Sequence, residues 1–344
     1  MHYQTFLSWQ WIGNWLDSFV DDFIVVEARI NQQTVGLGIL VKKRAYSLTG
    51  GRKNKYYLHR TGEPEEDQIW IEYNDFLLDS ERSNEIRKAL ISRVVYAIGV
   101  HDSLTVGASE AQKYDELETL GFSQRKVWET TNYRLDLTPF TESKVDYLSS
   151  LSRNSRYQIK RSIRKYQEIG ELNVEKAQTV EEAKALLALA EPLHMARWGS
   201  KIQGSGFANE KFVQFHKKLI EKGITDGSVE LYHIKAGDET IAIMHYFISE
   251  NCVYFYLCAI NYSHSGAHYK PGMVAHYLII EQLIKRKMRA YDFMGGVARY
   301  KSILSNNKGT LAVYQFEHKS SVLSIENKLR ELKTKIKPEM KIYQ

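Results

Sequence analysis

The sequence is poor in cysteine and proline and contains no long hydrophobic run. Its 344 residues include 2 cysteines and 5 prolines. The longest uninterrupted apolar run, Cys252 to Ile260, is far shorter than the ~18 residues needed to span a bilayer. No Lys or Arg precedes Arg29, so the first residues lack the basic start of a secretory leader. These absences argue against a membrane-spanning or secreted protein, and we expect a cytoplasmic one.

The two cysteines, Cys252 and Cys258, both lie in that apolar run. If the run is a strand, six residues at ~3.3 Å each hold the thiols about 20 Å apart, too far to form a disulfide. The even spacing places both on the same face of the strand. We therefore expect two buried thiols, no disulfide, and no cysteine nucleophile.

The positive charge is concentrated in one segment. The net charge is +6, and residues 153–165 carry six cations without an anion. Four of the cations fall on one helical face: they are Arg153, Arg156, Lys160 and Arg164. Such a face is a solvated surface, a contact for an anionic ligand, or a contact for nucleic acid, of which we expect nucleic acid least.

Strands and helices alternate along the chain, which indicates an α/β or α+β fold. Residues 23–43 predict a hairpin, residues 68–73 a strand and residues 83–97 a helix. The abrupt change in charge after Phe140 places a boundary near Thr138. A 3-4-3-4 apolar seam in residues 322–336 predicts an amphipathic C-terminal helix, which serves a monomer or a dimer equally well.

The second half of the chain is the more informative. Thr179 and Glu182 have the spacing of a capping box, and Pro192 should end or kink the helix that they open. A strand pair, the apolar strand 252–260, a loop ending in Pro271-Gly272, an apolar helix and the string YDFMGGVARYK (residues 291–301) follow in order.

This order of LHMARW, strands, Pro-Gly, helix and YDFMGGVARYK resembles the GNAT-fold acyltransferases. More narrowly, it is similar to the tandem-GNAT group found with cellulose and exopolysaccharide synthesis, distant relatives of the Fem-type aminoacyl transferases. The resemblance implies two tandem GNAT-like domains, each with a mixed, mostly antiparallel central sheet flanked by helices. We expect a degenerate N-terminal domain (1–138), a catalytic domain (139–318) and a C-terminal helix and tail (319–344).

The resemblance also implies where an acyl-CoA donor binds. In GNAT enzymes the helix after the central strand holds the coenzyme A pyrophosphate, and the acyl-pantetheine inserts between two splayed strands. A helix N-terminus suits an anion because it offers backbone N–H groups and a positive dipole end. Only one glycine of the usual family loop is retained, as Gly272. The residues expected to bind the donor are Leu257, Cys258, Ala259, Lys270, Gly272, Met273 and Val274.

Acylation of an amine needs a base, a group that stabilises the oxyanion, and an acid for the leaving thiolate. Asp292 suits the base or the amine anchor, Tyr300 the acid, and Lys301 the stabilising charge, while His194 is the other candidate base. The bland alternative is that Asp292 caps a turn and Lys301 is solvated. The residues expected to contact the acceptor are Arg161, Arg197, Trp198, Tyr256, Gly295 and Gly296. The histidines show no convincing ligand spacing, so we expect no metal.

The sequence therefore predicts an acyltransferase, with acetyl-CoA as donor and an amino group of a sugar or other envelope precursor as acceptor. Transfer would be direct, within a ternary complex. Two alternatives stay open: an aminoacyl-tRNA-dependent transferase, and a non-catalytic scaffold that contacts polysaccharide-synthesis proteins.

Overall fold

The structure is a computed structural model. It describes residues 4–46, 51–99, 101–110, 113–114, 122–143, 145–202, 204–264, 266 and 268–319. The predicted C-terminal helix lies outside these residues. The chain divides into two compact units, the first formed by Met1–Thr130 with Thr310–Gln344 and the second by Thr131–Gly309. Compared with the predicted domains, residues 131–138 fall in the second unit and 310–318 in the first, because two strands run through the division.

Twelve strands and ten α-helices are present in the described residues. The strands are β1 (Ile24–Ile30), β2 (Gln33–Tyr46), β3 (Arg52–Leu58), β4 (Leu77–Leu78), β5 (Ser103–Glu110), β6 (Phe122–Asp136), β7 (Leu172–Lys176), β8 (Val229–Ala236), β9 (Glu239–Ser249), β10 (Cys252–Ile260), β11 (Ala290–Gly295) and β12 (Asn307–His318). The helices are α1 (Trp9–Phe19), α2 (Pro64–Asp67), α3 (Ser83–Ala97), α4 (Thr138–Glu142), α5 (Tyr147–Ser150), α6 (Arg153–Gln167), α7 (Val180–Trp198), α8 (Glu210–Asp226), α9 (Pro271–Lys285) and α10 (Arg299–Leu304). The predicted mixed α/β fold class is confirmed.

The first unit is a mixed sheet with the order β1-β2-β3-β5-β12-β6. The pair β3–β5 is parallel, while β1–β2, β2–β3 and β5–β12 are antiparallel. One face of this sheet is apolar and packs against α3, with Leu58, Leu104 and Tyr314 among the sheet residues and Ile91 and Val95 among the helix residues. The predicted hairpin at residues 23–43 corresponds to β1 and β2.

The second unit has the sheet order β6-β11-β10-β9-β8-β7. Here β10 and β11 are parallel, and the other described pairs are antiparallel. The main core lies on the face covered by α6 and α9, where Tyr246, Phe255 and Tyr291 pack with Val274 and Ile279. Helices α7 and α8 contact the strands outside this core cluster, so the sheet is covered on both faces.

The helix ends of the second unit follow from local capping. Thr179 and Glu182 form the predicted capping box at the start of α7. The Asn209 side chain accepts the Lys211 N–H at the start of α8, and left-handed Gly227 ends that helix. Of the two effects predicted for Pro192, an end or a kink of the helix, the end is wrong, because α7 continues through Pro192 to Trp198. The helix therefore carries the LHMARW segment to its C-terminus.

The predicted strand at residues 68–73 is also wrong. This segment has no strand, and its backbone turns through left-handed conformations at Trp70 and Tyr73. Its apolar residues are nevertheless buried, as for Ile69 and Ile71. A short run rich in isoleucine and aromatic residues, typical of a strand, is here an irregular loop with buried side chains. Within the described residues, no helix combines the length and hydrophobicity needed to cross a bilayer.

Candidate functional site

The central feature of the second unit is a gap between two parallel strands. Strands β10 and β11 pair only from Cys252–Tyr254 with Ala290–Asp292. Directly beyond these pairs, β10 has a register shift against β9 between Phe255 and Leu257, and β11 has one against β6 between Asp292 and Met294. Both strands have a bulge where their pairing ends, and a bulge bends a strand. Past this point the β10 backbone that faces β11 makes no strand-to-strand hydrogen bonds with it.

The bulge in β10 reverses the faces of the residues that follow it. Cys258 packs against the core on the α9 side together with Phe255 and Ile260, whereas Cys252 lies beside Asp292. The prediction that both cysteines share one face is therefore wrong, because one inserted residue, Tyr256, shifts the alternation. Both thiols are free. Burial raises the pKa of each to about 12, which keeps them protonated.

Helix α10 places Tyr300 and Lys301 beside the end of β11. The Lys301 ammonium is buried and donates a hydrogen bond to the Gly295 carbonyl. A Cβ on the next residue, Gly296, would lie 3.3 Å from Lys301 Nζ, and Gly296 has φ +117°. The glycine therefore permits a turn that a side chain would strain while keeping the ammonium against the backbone.

Tyr300 is protonated and faces the same side of the sheet as Cys258. Burial raises its pKa well above the ordinary value, and the neighbouring Cys258 and Tyr262 raise it further. Its ring stacks on His276 of α9 with centroids 4.9 Å apart and planes inclined by 19°. The phenol is thus held in one orientation and can donate a proton.

His276 heads a buried chain of polar groups that the sequence did not reveal. Its Nδ1 lies 2.7 Å from the Tyr291 hydroxyl, which lies 3.1 Å from the Tyr246 hydroxyl. Burial, together with the smaller effect of the Lys301 charge, lowers the pKa of His276 to about 3, so the imidazole is neutral. The available signal was a histidine inside an apolar helix, facing strands with tyrosines at core positions.

The start of α9 is where the family resemblance would place the phosphates of a donor. Pro271 occupies the first turn, and no side-chain hydrogen bond caps the helix. The first-turn N–H groups of Gly272 and Met273 have no intrahelical acceptor. A Cβ at Gly272 would meet no atom of the described residues within 4 Å. The Lys270 N–H donates to Ser162 Oγ of α6 at 2.9 Å, which brings the basic helix beside this turn.

A second group of predicted residues lies at the end of α7. The Arg197 guanidinium lies 5.5 Å from the Trp198 ring centroid and 5.6 Å from that of Tyr262. Tyr262 follows β10 and interacts electrostatically with Cys258 and Tyr300. Tyr262, which the sequence analysis missed, therefore connects the Arg197–Trp198 pair with the side chains at the strand gap.

His194 lies one turn before Trp198 and is buried. Its Nδ1 is 2.8 Å from Ser205 Oγ, and its ring centroid is 6.2 Å from that of Trp198. Burial lowers its pKa to about 4, so the imidazole is neutral near pH 7 and can accept a proton.

The face of the sheet beneath α8 carries further polar groups near the bulge. Tyr256 shares a hydrogen bond of 3.0 Å with His216 Nε2, and His245 lies against both rings. Burial lowers the pKa of His245 to about 3, so this imidazole is neutral. Tyr256 is thus fixed at the residue where β10 leaves β11.

Asp292 and Arg161 are placed away from the Tyr300–Lys301 pair. Asp292 alternates with Tyr291 and Phe293 along β11 and so points to the opposite face, where its carboxylate accepts the Met294 N–H at 2.7 Å. Arg161 lies over the Tyr157 ring of its own helix, at 5.3 Å from the centroid. The described residues contain no group of three or more His, Cys, Asp or Glu side chains that could hold a metal ion.

A comparison with protein families finds a match within the second unit. Residues 153–302 match the family described as an acetyltransferase (GNAT) domain. The matched segment contains α6 to α9, strands β7 to β11 and the part of α10 that carries Tyr300 and Lys301. No curated protein has a significantly similar sequence.

Solved structures share the fold over nearly the whole chain. FemX superimposes with a TM-score of 0.59 at 11% identity, covering 96% of this chain and 94% of that chain. The C-terminal domain of a putative lysylphosphatidylglycerol synthetase from Agrobacterium fabrum gives 0.53 at 11% identity, with 94% and 91% covered. L-PGS from Bacillus licheniformis gives 0.52 at 10% identity, with 93% and 95% covered. These structures share the fold of the chain, which is GNAT-like over the segment that matches the family.

Proposed function

We propose that the protein transfers an acyl group, with acetyl-CoA as donor, to an amino group of a sugar or other cell-envelope or exopolysaccharide precursor in the cytoplasm. The observation that carries the proposal is the parting of β10 and β11 beside Tyr300 and Lys301, within the segment that matches the GNAT family. An extended thioester arm fits a gap between strands because the unpaired strand edge offers backbone hydrogen bonds.

The donor's phosphates would lie at the start of α9. The open space above Gly272 admits a phosphate to the first-turn N–H groups, and the helix dipole favours its charge. The neighbouring α6 supplies cations for a further phosphate. From this end the acyl arm would run into the gap, past the backbone of Leu257, Cys258 and Ala259, where an N–H could polarise the thioester carbonyl.

The chemistry requires one bond to form and one to break. The acceptor nitrogen attacks the thioester carbon, the C–S bond breaks, and the nitrogen loses a proton. Tyr300 is the acid for the departing thiolate, since its high pKa keeps the phenol protonated. Lys301 stabilises the negative charge that develops on the carbonyl oxygen. The protonated cysteines take no part, so transfer is direct.

The acceptor would enter beside Arg197 and Trp198, with Tyr256 and the turn at Gly295 and Gly296 completing its contacts. An aromatic ring beside a guanidinium suits a sugar that carries an anionic group. His194 and Asp292 both remain candidates for the base that takes the amine proton. The neutral His194 ring lies 6.2 Å from the Trp198 ring, beside the proposed acceptor entry. The Asp292 carboxylate accepts the Met294 N–H, so it would also hold the turn or anchor the ammonium.

Two linked measurements test this function. Calorimetric titration with acetyl-CoA, longer acyl-CoAs and free coenzyme A should show binding of the shared nucleotide portion. Transfer from acetyl-CoA to a panel of amino sugars and nucleotide-linked amino sugars should then fall by about 100-fold or more in Tyr300→Phe and Lys301→Ala. Circular dichroism would check that both variants fold. Wild-type turnover in both would remove these residues from the mechanism, and a lack of binding by every acyl-CoA would overturn the donor assignment.

An aminoacyl-tRNA donor is the second candidate. It is favoured by the exposed basic residues of α6, Arg153, Lys160 and Arg164, and by the fold shared with FemX and with a putative lysylphosphatidylglycerol synthetase domain. It predicts tRNA binding that weakens steeply with salt and weakens again in a Lys160→Ala/Arg164→Ala variant. Binding of neither donor would instead support a non-catalytic scaffold of a polysaccharide-synthesis complex.

A further inference from the structure

The first unit contains a cavity of about 270 Å³ that the proposed acyl transfer does not use. It lies on the sheet face opposite α3, with strands β3, β5, β6 and β12 as its floor and the segment after β3 as its wall. Its lining residues are Lys55, Tyr57, Arg60, Gly62, Pro64, Asp67, Gln68, Trp70, Thr105, Arg125, Val127, Val313 and Gln315. All of them belong to the first unit.

The floor of this cavity carries polar side chains together with Val127 and Val313. The same strands present Leu58, Leu104 and Tyr314 to α3 on the other face. On the cavity side the register places Tyr57 beside Thr105, and Thr105 beside Gln315. The polar side chains can hydrogen-bond an occupant, and the valines can contact its apolar part.

The polar groups of the floor are held in fixed positions. The Arg125 guanidinium donates from Nη2 to Gln315 Oε1 at 2.5 Å. The Gln315 amide in turn donates to Glu317 Oε1 at 2.8 Å, and both of these residues are buried. Because the amide is held at both ends, the guanidinium bound to it is oriented before any ligand arrives.

The lining carries an excess of positive charge. Lys55, Arg60 and Arg125 are its cations, and Asp67 is its single anion. The Asp67 carboxylate is already engaged, because it accepts hydrogen bonds from Arg60 Nε at 3.2 Å, the Thr61 N–H at 2.8 Å and the Gly62 N–H at 3.0 Å. Lys55 and Arg125 are two further cations of the lining, and the Gln315 amide links Arg125 to the buried Glu317 carboxylate.

Two aromatic rings, those of Tyr57 and Trp70, also line the cavity. The Tyr57 ring packs directly on Gly62, where a Cβ would come within 2.5 Å of the ring and where φ is +78°. The glycine thus lets the ring stand against the wall of the cavity. Aromatic walls with cations at one end suit a ligand with an apolar or planar body and an anionic head.

We propose that this cavity binds a small organic anion, a carboxylate or a phosphate monoester of about the size of an amino acid or a sugar phosphate. Arg125 and Lys55 contact the anionic head, and Trp70 and Tyr57 contact the body. The proposal does not rest on the proposed acyl transfer, because it uses the first unit alone. It gives this unit a binding role of its own.

Methyl NMR of the full chain locates such binding directly, since Val127 and Val313 line the cavity. The probes are phenyl phosphate and benzoate, which separate the two head groups, and benzyl alcohol as the neutral match of the same ring. We expect at least one anion to shift both valine methyls saturably, with a Kd on the order of 1 mM or tighter, and benzyl alcohol to leave them unshifted.

Arg125→Met should weaken that binding by about tenfold or more, because it removes a charge-assisted hydrogen bond without shortening the side chain. Arg93→Met is the matched control, since Arg93 is exposed on α3, and it should bind as the wild type does. Three results would overturn the proposal: no saturable shift with either anion, equal shifts with benzyl alcohol, or unchanged affinity in Arg125→Met. If Arg125→Met is unfolded by circular dichroism, Lys55→Met provides the same comparison.

Discussion

Replacing Gly272 separates the stability of α9 from its suggested use as a phosphate site. Gly272 follows Pro271 in the first turn, and a Cβ there would meet no atom within 4 Å. Its φ is not in the left-handed region. Gly272→Ala and Gly272→Leu should therefore fold without strain, while the added side chain fills the space above the first-turn N–H groups.

The two effects should have opposite signs. Glycine is about 0.8–1 kcal/mol less favourable than alanine inside a helix, so Gly272→Ala should raise the free energy of unfolding by up to about 1 kcal/mol. That gain corresponds to a rise in Tm of roughly 1–2 °C for a chain of 344 residues that unfolds as one unit. Acetyl-CoA affinity should fall in both variants, by about tenfold or more for Gly272→Leu, because the larger side chain displaces the phosphate from the helix end.

Gly227→Ala is the matched control. A Cβ at Gly227 also meets no atom within 4 Å, but its φ is +77°. The substitution should therefore destabilise the protein by about 1 kcal/mol and leave the donor affinity unchanged. Thermal unfolding gives the stability of all three variants, and calorimetric titration with acetyl-CoA gives their affinity.

The stability measurement and the binding measurement test two separate claims, and each can contradict its own claim independently. If Gly272→Leu is as stable as the wild type and binds acetyl-CoA equally well, the phosphates do not lie at the start of α9. If Gly272→Ala is clearly less stable than the wild type, the space above this turn is not open as the structure has it.

Two further predictions concern buried imidazoles. Burial lowers the pKa of His59 to about 4, and its Nε2 accepts the Ile39 N–H, which a protonated ring cannot do. Below pH 6.5 the unfolded chain binds more protons than the folded chain. The free energy of unfolding should therefore fall by up to ~1.4 kcal/mol per pH unit for each such histidine, down to about pH 4. Equal urea midpoints at pH 7 and pH 5 would contradict this. Tyr291→Phe should cost about 1–3 kcal/mol because it leaves His276 Nδ1 buried without its partner, and Tyr246→Phe about 0.5–1.5 kcal/mol. Urea unfolding measures both losses of unfolding free energy. Equal losses in the two variants would contradict the extra cost of leaving His276 Nδ1 without a hydrogen-bond partner.

Local signals in the sequence located much of the fold and part of the site. The capping box of Thr179 and Glu182 lies where side-chain spacing placed it, because such a cap depends on residues three positions apart. The run from Tyr291 to Lys301 predicted a glycine turn after a strand, followed by Tyr300 and Lys301 side by side in the chain. The failures are equally instructive: α7 continues through Pro192 because its packing against the sheet outweighs one lost hydrogen bond.

The sequence by itself determined the fold class, the order of strands and helices, the concentration of charge on α6 and the residue types around the candidate site. These follow from periodicity, capping and turn residues, which act over a few positions of the chain. Only the tertiary structure decided the bulge at Tyr256, the separation of Asp292 from Lys301, the His276–Tyr291–Tyr246 chain and the cavity of the first unit. Each of these depends on which strand lies beside which and in what register, and contacts between segments distant in the chain, such as Thr105 with Gln315, contribute to that register through packing.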